Sequence, residues 1–432
     1  DWADAVVISV PMHTALRLAL EVVEEIREHC PGLPIALVGL YATVAVGLSP
    51  FGPRDLLAAG EFEPALADWV DELASGSPTT ARGPAVSVSL TAKKGAAAAA
   101  STAPAPDRTG LPELARYARL SHRGELVLAG YTETTRGCSH TCRHCPVPTV
   151  YDGRTRVVDP RDVLADVATL VEAGAGHVTF GDPDFLNRPA HALEVVRLVH
   201  DRFPDLTFDA TVKVEHVLRH RSLWQEFGAS GCLFVVSALE AVRDDILLLL
   251  DKGHTTAESV EALRILRSAG IEPRPSFLPF TPWTDIADLS DLLRFVADND
   301  LVWNVDPVQY GIRLLLPPGS LLLSDPDPRL AASLDGYDAG SLSWRWRSED
   351  PRVDELALEV ATIAEKAAAD DEEIPATFER IAAAAGAHRA SDGKSWTPRQ
   401  GRDPDPGRPR LTEAWFCCAE PTSMQRSALI RD

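Results

Sequence analysis

The first forty residues alternate between short apolar runs and a helical pattern. The run from Ala5 to Val10 has the length of a strand, and Leu16, Ala19 and Val23 then recur at helical spacing. Pro31-Gly32 ends that helix, and a second apolar run follows over 35–39. The pattern predicts a β-α-β unit, followed by a further helix over about 64–73.

Residues 75–110 have a different composition, dominated by Ser, Thr, Pro, Gly and Ala, with an unbroken alanine run over 96–100. A stretch of this kind has too few large apolar residues to bury a core. We therefore predict a linker here.

From residue 126 onward, strand-like and helix-like patterns alternate. The clearest helix starts at Asp159-Pro160, because aspartate caps a helix and proline suits its first turn, and it ends at Gly174. Strands that alternate with helices pair in parallel. The pattern predicts a partial (β/α)6 barrel with strands at Leu126–Thr132, His177–Gly181, Leu206–Val212, Cys232–Ala238, Ile271–Pro279 and Val302–Gln309.

After about residue 350 the pattern becomes helical, over 353–369 and 376–387, and a polar loop follows over 391–410. The predicted fold class is therefore α/β with a helical C-terminal region. Its four parts are a β-α-β domain over 1–74, the linker over 75–110, the partial barrel over 111–345, and the C-terminal region over 346–432.

Charge and composition narrow the function classes. The chain has 432 residues and a formal net charge of −21, from 42 basic and 63 acidic residues. Such a balance makes nucleic acid an unlikely partner and argues against anionic membrane surfaces, because phosphates are repelled. No apolar run reaches the roughly 18 residues of a membrane span.

The N-terminal residues show no signal-peptide pattern, and seven cysteines are too few for a disulfide scaffold. We therefore expect a cytoplasmic protein with cysteines that serve metal binding or redox chemistry. Because the sequence begins with Asp1, we expect the true start to lie upstream.

The strongest chemical signal is a CxxxCxxC cluster formed by Cys138, Cys142 and Cys145, directly after the first barrel strand. Three thiolates on one loop can ligate three irons of a [4Fe–4S] cubane and leave the fourth iron open for a small chelating molecule. Alternatively, the three cysteines and His140 or His144 could hold a structural zinc, although zinc sites usually pair CxxC knuckles.

This cluster resembles the signature of radical S-adenosylmethionine (SAM) enzymes, with His144 where that family usually has an aromatic residue. The resemblance implies a [4Fe–4S] cluster on Cys138, Cys142 and Cys145 whose open iron binds SAM. In that family, one electron from the cluster cleaves SAM to methionine and a 5′-deoxyadenosyl radical, which abstracts hydrogen from a substrate.

The same resemblance assigns SAM-binding roles to residues at the ends of later strands. The segment at the end of the second barrel strand resembles the motif that binds the SAM amino group, Lys213 is expected to face the SAM carboxylate, and a serine and a glutamate are expected near the ribose. The residues of that segment and the ribose pair are Gly181, Asp182, Pro183, Asp184, Ser237 and Glu240. Three residues on later strands are expected to face substrate: Arg274, Gln309 and Arg313.

The N-terminal domain resembles the Rossmann-like cobalamin-binding domain that precedes many radical SAM barrels. The segments that carry the resemblance are Ile8–His13 and Gly60–Leu66. Cobalamin is allowed by this resemblance but is not favoured, because the sequence contains no Asp-x-His-x-x-Gly segment for cobalt and His13 does not lie in that context.

The C-terminal Cys417-Cys418-Ala419-Glu420-Pro421 resembles the tail that defines the CUAEP/CCAEP-tail radical SAM (seleno)protein family, in which selenocysteine can take the place of Cys418. A site that accepts selenium is suited to a nucleophilic or redox-active chalcogen. We therefore predict that the tail folds over the barrel mouth, with Cys418 reactive and Cys417 as its resolving or ligating partner.

The sequence as a whole predicts a radical SAM enzyme that acts on an unidentified small molecule or peptide and draws electrons from an external donor such as flavodoxin or ferredoxin. The two alternatives are a methylthiotransferase-like radical SAM enzyme acting on RNA and a non-enzymatic zinc-binding module.

Overall fold

The computed structural model describes residues 2–48, 50–76, 83–89, 106–389 and 406–413, and all structural statements refer to these residues. They fall into two compact units. The first combines the N-terminal part, up to residue 97, with segments 137–154 and 315–346, and the second combines 98–136, 155–314 and the part from 347 onward. Two segments distant in sequence thus join the N-terminal unit.

The elements follow one another in the order that the alternating patterns predict. Up to residue 89 they are β1 (Val6–Ser9), α1 (His13–His29), β2 (Ile35–Val38), β3 (Leu56–Gly60), α2 (Glu63–Ser75) and β4 (Ala85–Ser89). The central part contains β5 (Arg119–His122), β6 (Glu125–Thr132), β7 (Thr135–Gly137), α3 (Val147–Tyr151), β8 (Thr155–Val157), α4 (Pro160–Glu172), β9 (His177–Phe180), α5 (Pro189–Arg202), β10 (Thr207–Thr211), α6 (Val214–Arg219), α7 (Trp224–Ala229), β11 (Cys232–Glu240), α8 (Asp244–Leu249), α9 (Thr256–Ser268), β12 (Glu272–Phe277) and α10 (Asp288–Asp298). The remaining elements are α11 (Leu321–Ser324), α12 (Pro328–Ser333), β13 (Leu334–Asp338), β14 (Ser343–Trp346), α13 (Pro351–Ala369), α14 (Ile374–Arg389) and β15 (Arg410–Leu411).

The first unit is built on a parallel sheet with the strand order β1-β2-β3-β4. Successive side chains of a strand point to opposite faces, and β2 therefore contributes to two cores. Ile35 and Leu37 lie in the core that includes buried residues of α1, whereas Ala36 and Val38 pack with Trp69 of α2. The predicted β-α-β unit is confirmed.

The second unit is built on a curled seven-stranded sheet with the order β12-β11-β10-β9-β6-β5-β15. The five strands from β12 to β6 are parallel, so their carboxyl ends meet at one edge, where open α/β sheets bind ligands. A buried group of aromatic rings, Phe180, Phe185, Phe208 and Phe227, supports this sheet. The predicted α/β half-barrel is confirmed.

Two predictions about single elements are wrong. The segment 302–309, predicted as the sixth barrel strand, forms short 3-10 turns instead, and the sixth position holds only a parallel bridge between Phe280 and Arg313. The segment 85–89, placed in the linker, forms β4 and pairs with β3, because its Val86 and Val88 alternate with small residues. Composition over a long window concealed this short alternation.

Helix ends agree closely with the capping signals. The Asp159 side chain accepts a hydrogen bond from the Arg161 backbone at the start of α4, as predicted. The two C-terminal helices are confirmed as α13 and α14. Among the described helices, none combines the length and the apolar character that crossing a bilayer requires.

Candidate functional site

The three cysteines of the CxxxCxxC cluster lie on one loop of the first unit. Cys138 and Cys142 are each 8% exposed and Cys145 is half-buried. A turn closes the loop, with the Cys145 backbone donating to the Cys142 carbonyl over 3.2 Å. Gly137 precedes the loop at φ +78°, and a Cβ there would lie 2.3 Å from the Arg154 carbonyl oxygen. Only glycine therefore fits at the start of this loop.

The sequence left two metals open for this loop, an iron–sulfur cluster and a single zinc ion. A tetrahedral zinc with bonds of about 2.3 Å holds its sulfur ligands about 3.8 Å apart. Within the part of the chain that the structure describes, the three cysteines form no group of ligands within 4.8 Å of one another. They are also thiols rather than disulfides. Three cysteines on one loop match the protein ligands of an iron–sulfur cluster with one open iron, which stays the prediction for this loop, with a structural zinc as the alternative.

The same loop is fixed within its own unit. Arg143 donates a hydrogen bond to the backbone carbonyl of Asp325, and the Tyr151 hydroxyl in α3 donates to the Gly60 carbonyl at the end of β3 over 3.2 Å. His144 is buried between the second and third cysteines. The loop is therefore held in place by side chains that flank the cysteines.

In the second unit, Gly181 follows β9 and lies against the ring of Tyr131. A Cβ at this position would come within 2.0 Å of the Tyr131 ring, so glycine is required for this packing. The Tyr131 hydroxyl donates to the Gly181 carbonyl over 3.3 Å. Close packing by a protein side chain is thus a sufficient reason for glycine here.

The two acids of the Gly-Asp-Pro-Asp segment flank the exposed Pro183 and are both held by protein groups. Asp182 accepts hydrogen bonds from the Thr134 backbone, the Thr134 hydroxyl and the Thr135 hydroxyl at 2.9, 2.8 and 2.5 Å. Its burial raises its pKa to about 6, against the lowering effect of these hydrogen bonds.

Asp184 interacts with two partners in the second unit. Its Oδ1 accepts a hydrogen bond from the Leu186 backbone, and its Oδ2 lies 2.9 Å from Nδ1 of His216 in α6. Both side chains are buried. The amino-group role assigned to this segment stays a prediction, and each carboxylate would have to share its protein partners with such a ligand.

Lys213 and Ser237 come together at the carboxyl ends of β10 and β11. The Ser237 hydroxyl donates to the Val212 carbonyl, next to Lys213, over 2.8 Å. Nζ of Lys213 lies 3.6 Å from Oε2 of Glu215. The Ser237 hydroxyl oxygen can still accept a hydrogen bond from a ligand, and the partly buried Lys213 supplies a positive charge.

Glu240 ends β11 and is buried in an ion pair that the sequence did not predict. Nζ of Lys252 lies 3.1 Å from Oε1 of Glu240, and both side chains are less than a tenth exposed. Lys252 comes from the loop between α8 and α9, and the next residue, Gly253, adopts φ +69°. The sequence separation between Lys252 and Glu240 matches no known motif. The available sequence signal is the Lys-Gly pair after α8, which indicates a turn at this position.

The three residues expected to face substrate are instead engaged with protein groups of the second unit. Arg274 pairs with Asp306 at 3.2 Å, and Arg313 pairs with Asp354 at 2.7 Å. The Gln309 side-chain oxygen accepts from the Phe277 backbone over 3.4 Å. These contacts support the sheet, and the substrate role stays a prediction.

Cys417 and Cys418 lie outside the described residues, but the chain that leads to them is well held. β15 pairs antiparallel with β5, and β5 pairs antiparallel with β6, so β15 runs in the direction of the parallel strands. Beyond β15, Thr412 exchanges hydrogen bonds with the Arg119 backbone. At Glu413 the chain is thus directed toward the carboxyl-end edge.

Two glycines and a histidine at the carboxyl edge of the first unit's sheet are relevant to the question of whether this unit could bind cobalamin. Gly39 and Gly60 both have positive φ and end β2 and β3. His13, which begins α1, is 3% exposed, lies edge-on to Tyr41, and has Nε2 3.4 Å from the Leu342 carbonyl. Burial lowers its pKa to about 4. This imidazole is enclosed by protein and does not fit an axial ligand for cobalt.

Residues 132–296 match the family model described as the Radical SAM superfamily. Among curated proteins, the chain is similar to the tRNA-2-methylthio-N(6)-dimethylallyladenosine synthase of Salinispora arenicola, with 26% identity over 289 residues, which are 54% of this chain and 57% of the relative. It is also similar to an uncharacterized methyltransferase of Pyrococcus horikoshii, with 21% identity over 197 residues, 45% of this chain and 42% of the relative. The chain spans about half the length of these relatives.

Among solved structures, the fold is similar to the cobalamin-dependent S-adenosylmethionine radical enzyme OxsB with aqua-cobalamin bound, with a TM-score of 0.63 and 15% identity over 82% of this chain and 57% of that chain. It is also similar to the radical S-adenosylmethionine methyltransferase TsrM of Kitasatospora setae with its tryptophan substrate and a SAM analogue, with a TM-score of 0.53 and 17% identity over 69% and 61% of the two chains. At these identities the likeness concerns the fold.

Proposed function

Because residues 132–296 are a domain of the Radical SAM superfamily, we propose that the chain is an enzyme that uses a [4Fe–4S] cluster to cleave SAM reductively and to modify a small molecule or peptide. The observation that carries the proposal is the loop of Cys138, Cys142 and Cys145 inside the matched domain, with three spaced thiols on one turn.

The matched domain implies the two cofactors predicted from the sequence, a [4Fe–4S] cluster and SAM. Cys138, Cys142 and Cys145 would hold the cluster, which, with SAM bound to its open iron, supplies a one-electron cleavage. The chain's own contribution is to bury two of the three thiols and to fix their loop through Gly137 and Arg143.

For SAM, the residues at the ends of β10 and β11 supply complementary groups. Lys213 offers a partly buried positive charge for a carboxylate, and Ser237 and Glu240 offer oxygen acceptors for hydroxyl groups. Gly181 and the two acids Asp182 and Asp184 line the adjacent end of β9. These side chains would bind and orient the ligand, and their burial would exclude water from it.

The tail is proposed to supply a reactive thiol at the same edge, with Cys418 near the substrate and Cys417 as its partner. The direction of β15 supports this. Cys418 lies five residues beyond Glu413, and five extended residues reach about 17 Å. The end of β6 lies two strands away from β15, about 10 Å sideways, and the strand register puts it three residues, or ~10 Å, further along than Glu413. The resulting diagonal of ~14 Å is within that reach.

A second candidate is a methylthiotransferase-like reaction on RNA, favoured by the similarity to the Salinispora arenicola synthase. Against it stands the net charge of −21, because an RNA backbone would be repelled by such a protein. Incubation with SAM and total tRNA, followed by mass spectrometry of the nucleosides, separates the two candidates: a methylthio-adenosine product would replace the first proposal by the second.

Cobalamin stays possible but not favoured: the fold is similar to that of the cobalamin-dependent enzyme OxsB, whereas His13 is enclosed by Tyr41 and the Leu342 carbonyl. The external electron donor, expected to be a flavodoxin or a ferredoxin, is likewise part of the proposal rather than of the fold.

The central experiment is anaerobic reconstitution with iron and sulfide, followed by dithionite reduction and electron paramagnetic resonance with and without SAM. We expect a reduced-cluster signal that SAM changes, and formation of 5′-deoxyadenosine. Each of Cys138→Ala, Cys142→Ala and Cys145→Ala should lose both, whereas Cys30→Ala, an exposed thiol outside the loop, should keep them. Wild-type protein that binds zinc in place of iron and sulfide would overturn the proposal.

The tail is tested separately, because its role concerns substrate turnover and not SAM cleavage. Cys418→Ala should retain 5′-deoxyadenosine formation and lose substrate turnover, with Cys30→Ala again as the matched control. Full turnover by Cys418→Ala with any substrate that the wild type converts would remove the tail from the proposal and leave the cluster chemistry intact.

A further inference from the structure

Lys252 is the residue at the carboxyl-end edge that neither the motifs nor the proposed function assigns a role. It lies in the loop between α8 and α9, and its ammonium group is buried against the Glu240 carboxylate at 3.1 Å. Burying a lysine is costly unless its charge is paired. The Glu240 carboxylate therefore contributes to stabilising the buried charge of Lys252.

Two unusual features of the backbone also determine where the Glu240 side chain points. The pairing of β11 with β12 shifts register between Ala238 and Glu240, so Leu239 is an extra residue in a β-bulge. Ser237 is paired with Pro275, and Glu240 is paired with Phe277, two residues further along. Because side chains alternate, the bulge turns Glu240 to the same face as Ser237, although three residues separate them.

The second backbone feature is the dihedral angle of Glu240, whose φ is +62°. For a residue other than glycine, this left-handed conformation costs on the order of 1 kcal/mol or more. Such strain persists only where the surrounding structure enforces it. Two features thus act on one carboxylate: a β-bulge whose last residue has a left-handed backbone, and a buried lysine. A purely structural ion pair would need none of the backbone features.

The neighbouring loop residue shows how tightly this arrangement is packed. A Cβ on Gly253 would lie 3.0 Å from Oε2 of Glu215 and 3.6 Å from Nζ of Lys213. The loop 252–253 therefore contacts both charged pairs at this edge, the one of Glu240 and the one of Lys213. A displacement of this loop would move both.

From this arrangement we propose that Lys252 is a positioning residue, which holds the Glu240 carboxylate beside the Ser237 hydroxyl so that both accept hydrogen bonds from the ribose hydroxyls of SAM. This inference rests on the proposed function. Lys252 itself does not touch the ligand: its effect passes through Glu240. Removing the ammonium group would leave the carboxylate without its orienting partner and lower the affinity for SAM.

The test is a double-mutant cycle on SAM affinity, measured with the reconstituted protein under anaerobic conditions. Lys252→Met should weaken SAM binding about tenfold, as expected for one lost charge-assisted contact, while Lys252→Arg, which keeps the charge, should stay within about threefold of wild type. Lys366→Met, at an exposed position of α13, is the matched control and should bind SAM as the wild type does.

The cycle with Glu240→Gln identifies the route of the effect. If Lys252 acts through Glu240, the double variant should bind SAM no more weakly than Glu240→Gln alone. The 2′-deoxyribose analogue of SAM provides the second readout. The wild type should bind the analogue more weakly than SAM, whereas Lys252→Met should bind the analogue and SAM with equal affinity. Iron content and circular dichroism establish that each variant is folded and carries its cluster.

Additive effects in the cycle, or a 2′-deoxy penalty that Lys252→Met retains, would overturn the role of Lys252. If Lys252→Met does not fold, Lys252→Gln, which also lacks the charge, carries the same cycle. Failure of the wild type to bind SAM would contradict the proposed function instead, so the two failures are distinguishable.

Discussion

Two buried polar clusters lie toward opposite ends of the same half-barrel, and they differ in how completely their groups are paired. Toward the amino-terminal ends of the strands, His177 is fully buried, with Nε2 2.9 Å from Asp209 and Nδ1 2.8 Å from the Thr207 hydroxyl. Asp209 also accepts from Thr179 at 2.7 Å. Both ring nitrogens are satisfied, and the backbone in β9 and β10 is regular except for one shift of register.

The cluster at the carboxyl ends is also buried, but it is strained and incompletely paired. Glu240 has a left-handed backbone at the end of a bulge. Beside it, the buried Nε2 of His254 has no hydrogen-bond partner among the described residues, and burial together with the charge of Lys252 lowers the His254 pKa to about 4. The comparison shows that buried polar groups can be fully paired, as around His177, or incompletely paired on a strained backbone, as around Glu240, and the second arrangement is the one that motivates the proposed role of Glu240 and Lys252.

The largest effect on stability is expected at the amino-terminal cluster. Asp209→Ala would remove the acceptor of His177 and Thr179 in a dry site, and we expect a loss of about 3–5 kcal/mol in the free energy of unfolding. Urea denaturation measures it. Asp209→Asn, which keeps one acceptor oxygen, is the control and should lose less. The SAM affinity of the folded fraction should stay unchanged; a large loss of SAM affinity would break the distinction between the two ends.

The next effect concerns Asp182 at the carboxyl end, whose pKa burial raises from 3.8 to about 6. At a pH between these two pKa values, Asp182 keeps its proton in the folded protein and loses it in the unfolded chain. The free energy of unfolding therefore falls as the pH rises through this window, by about 2–3 kcal/mol in total. Stability measured from pH 4 to 7 for wild type and Asp182→Asn should show this slope in the wild type and lose it in the variant. Parallel curves for the two proteins would contradict the assignment.

A smaller effect separates backbone strain from disturbance of the site. Gly253 and Gly270 both have positive φ, but a Cβ on Gly270 meets nothing within 4 Å, whereas one on Gly253 meets Glu215. Alanine at either position should lower stability by about 1–2 kcal/mol. Only Gly253→Ala should also weaken SAM binding, roughly threefold. Equal SAM affinities of the two variants would show that the loop 252–253 does not act on the site.

The smallest effect is expected for an exposed ion pair away from both clusters. Nε of Arg197 lies 2.5 Å from Oε1 of Glu226, but the two side chains are 58% and 38% exposed. Solvent and salt screen such a pair. Glu226→Gln should leave both the unfolding midpoint and the SAM affinity at the wild-type values, and a measurable loss of either would mean that pairing at the surface matters as much as pairing inside the half-barrel.

The sequence by itself determined the order of the elements and the chemistry of the cluster loop. Apolar periodicity and capping signals such as Asp159-Pro160 are local, so they marked α4 and the strands β6, β9, β10, β11 and β12 within a few residues. The spacing of Cys138, Cys142 and Cys145 is likewise local, because all three cysteines lie on one short loop.

Only the tertiary structure decided which side chains meet at the carboxyl-end edge. Sequence spacing puts Ser237 and Glu240 on opposite faces of a regular strand, and the bulge at Leu239 reverses this. Lys252 meets Glu240 because the loop after α8 returns to the strand end, and Asp209 finds His177 across neighbouring strands. Such pairings depend on register and on loop closure, and these are properties of the whole packed sheet rather than of any short segment.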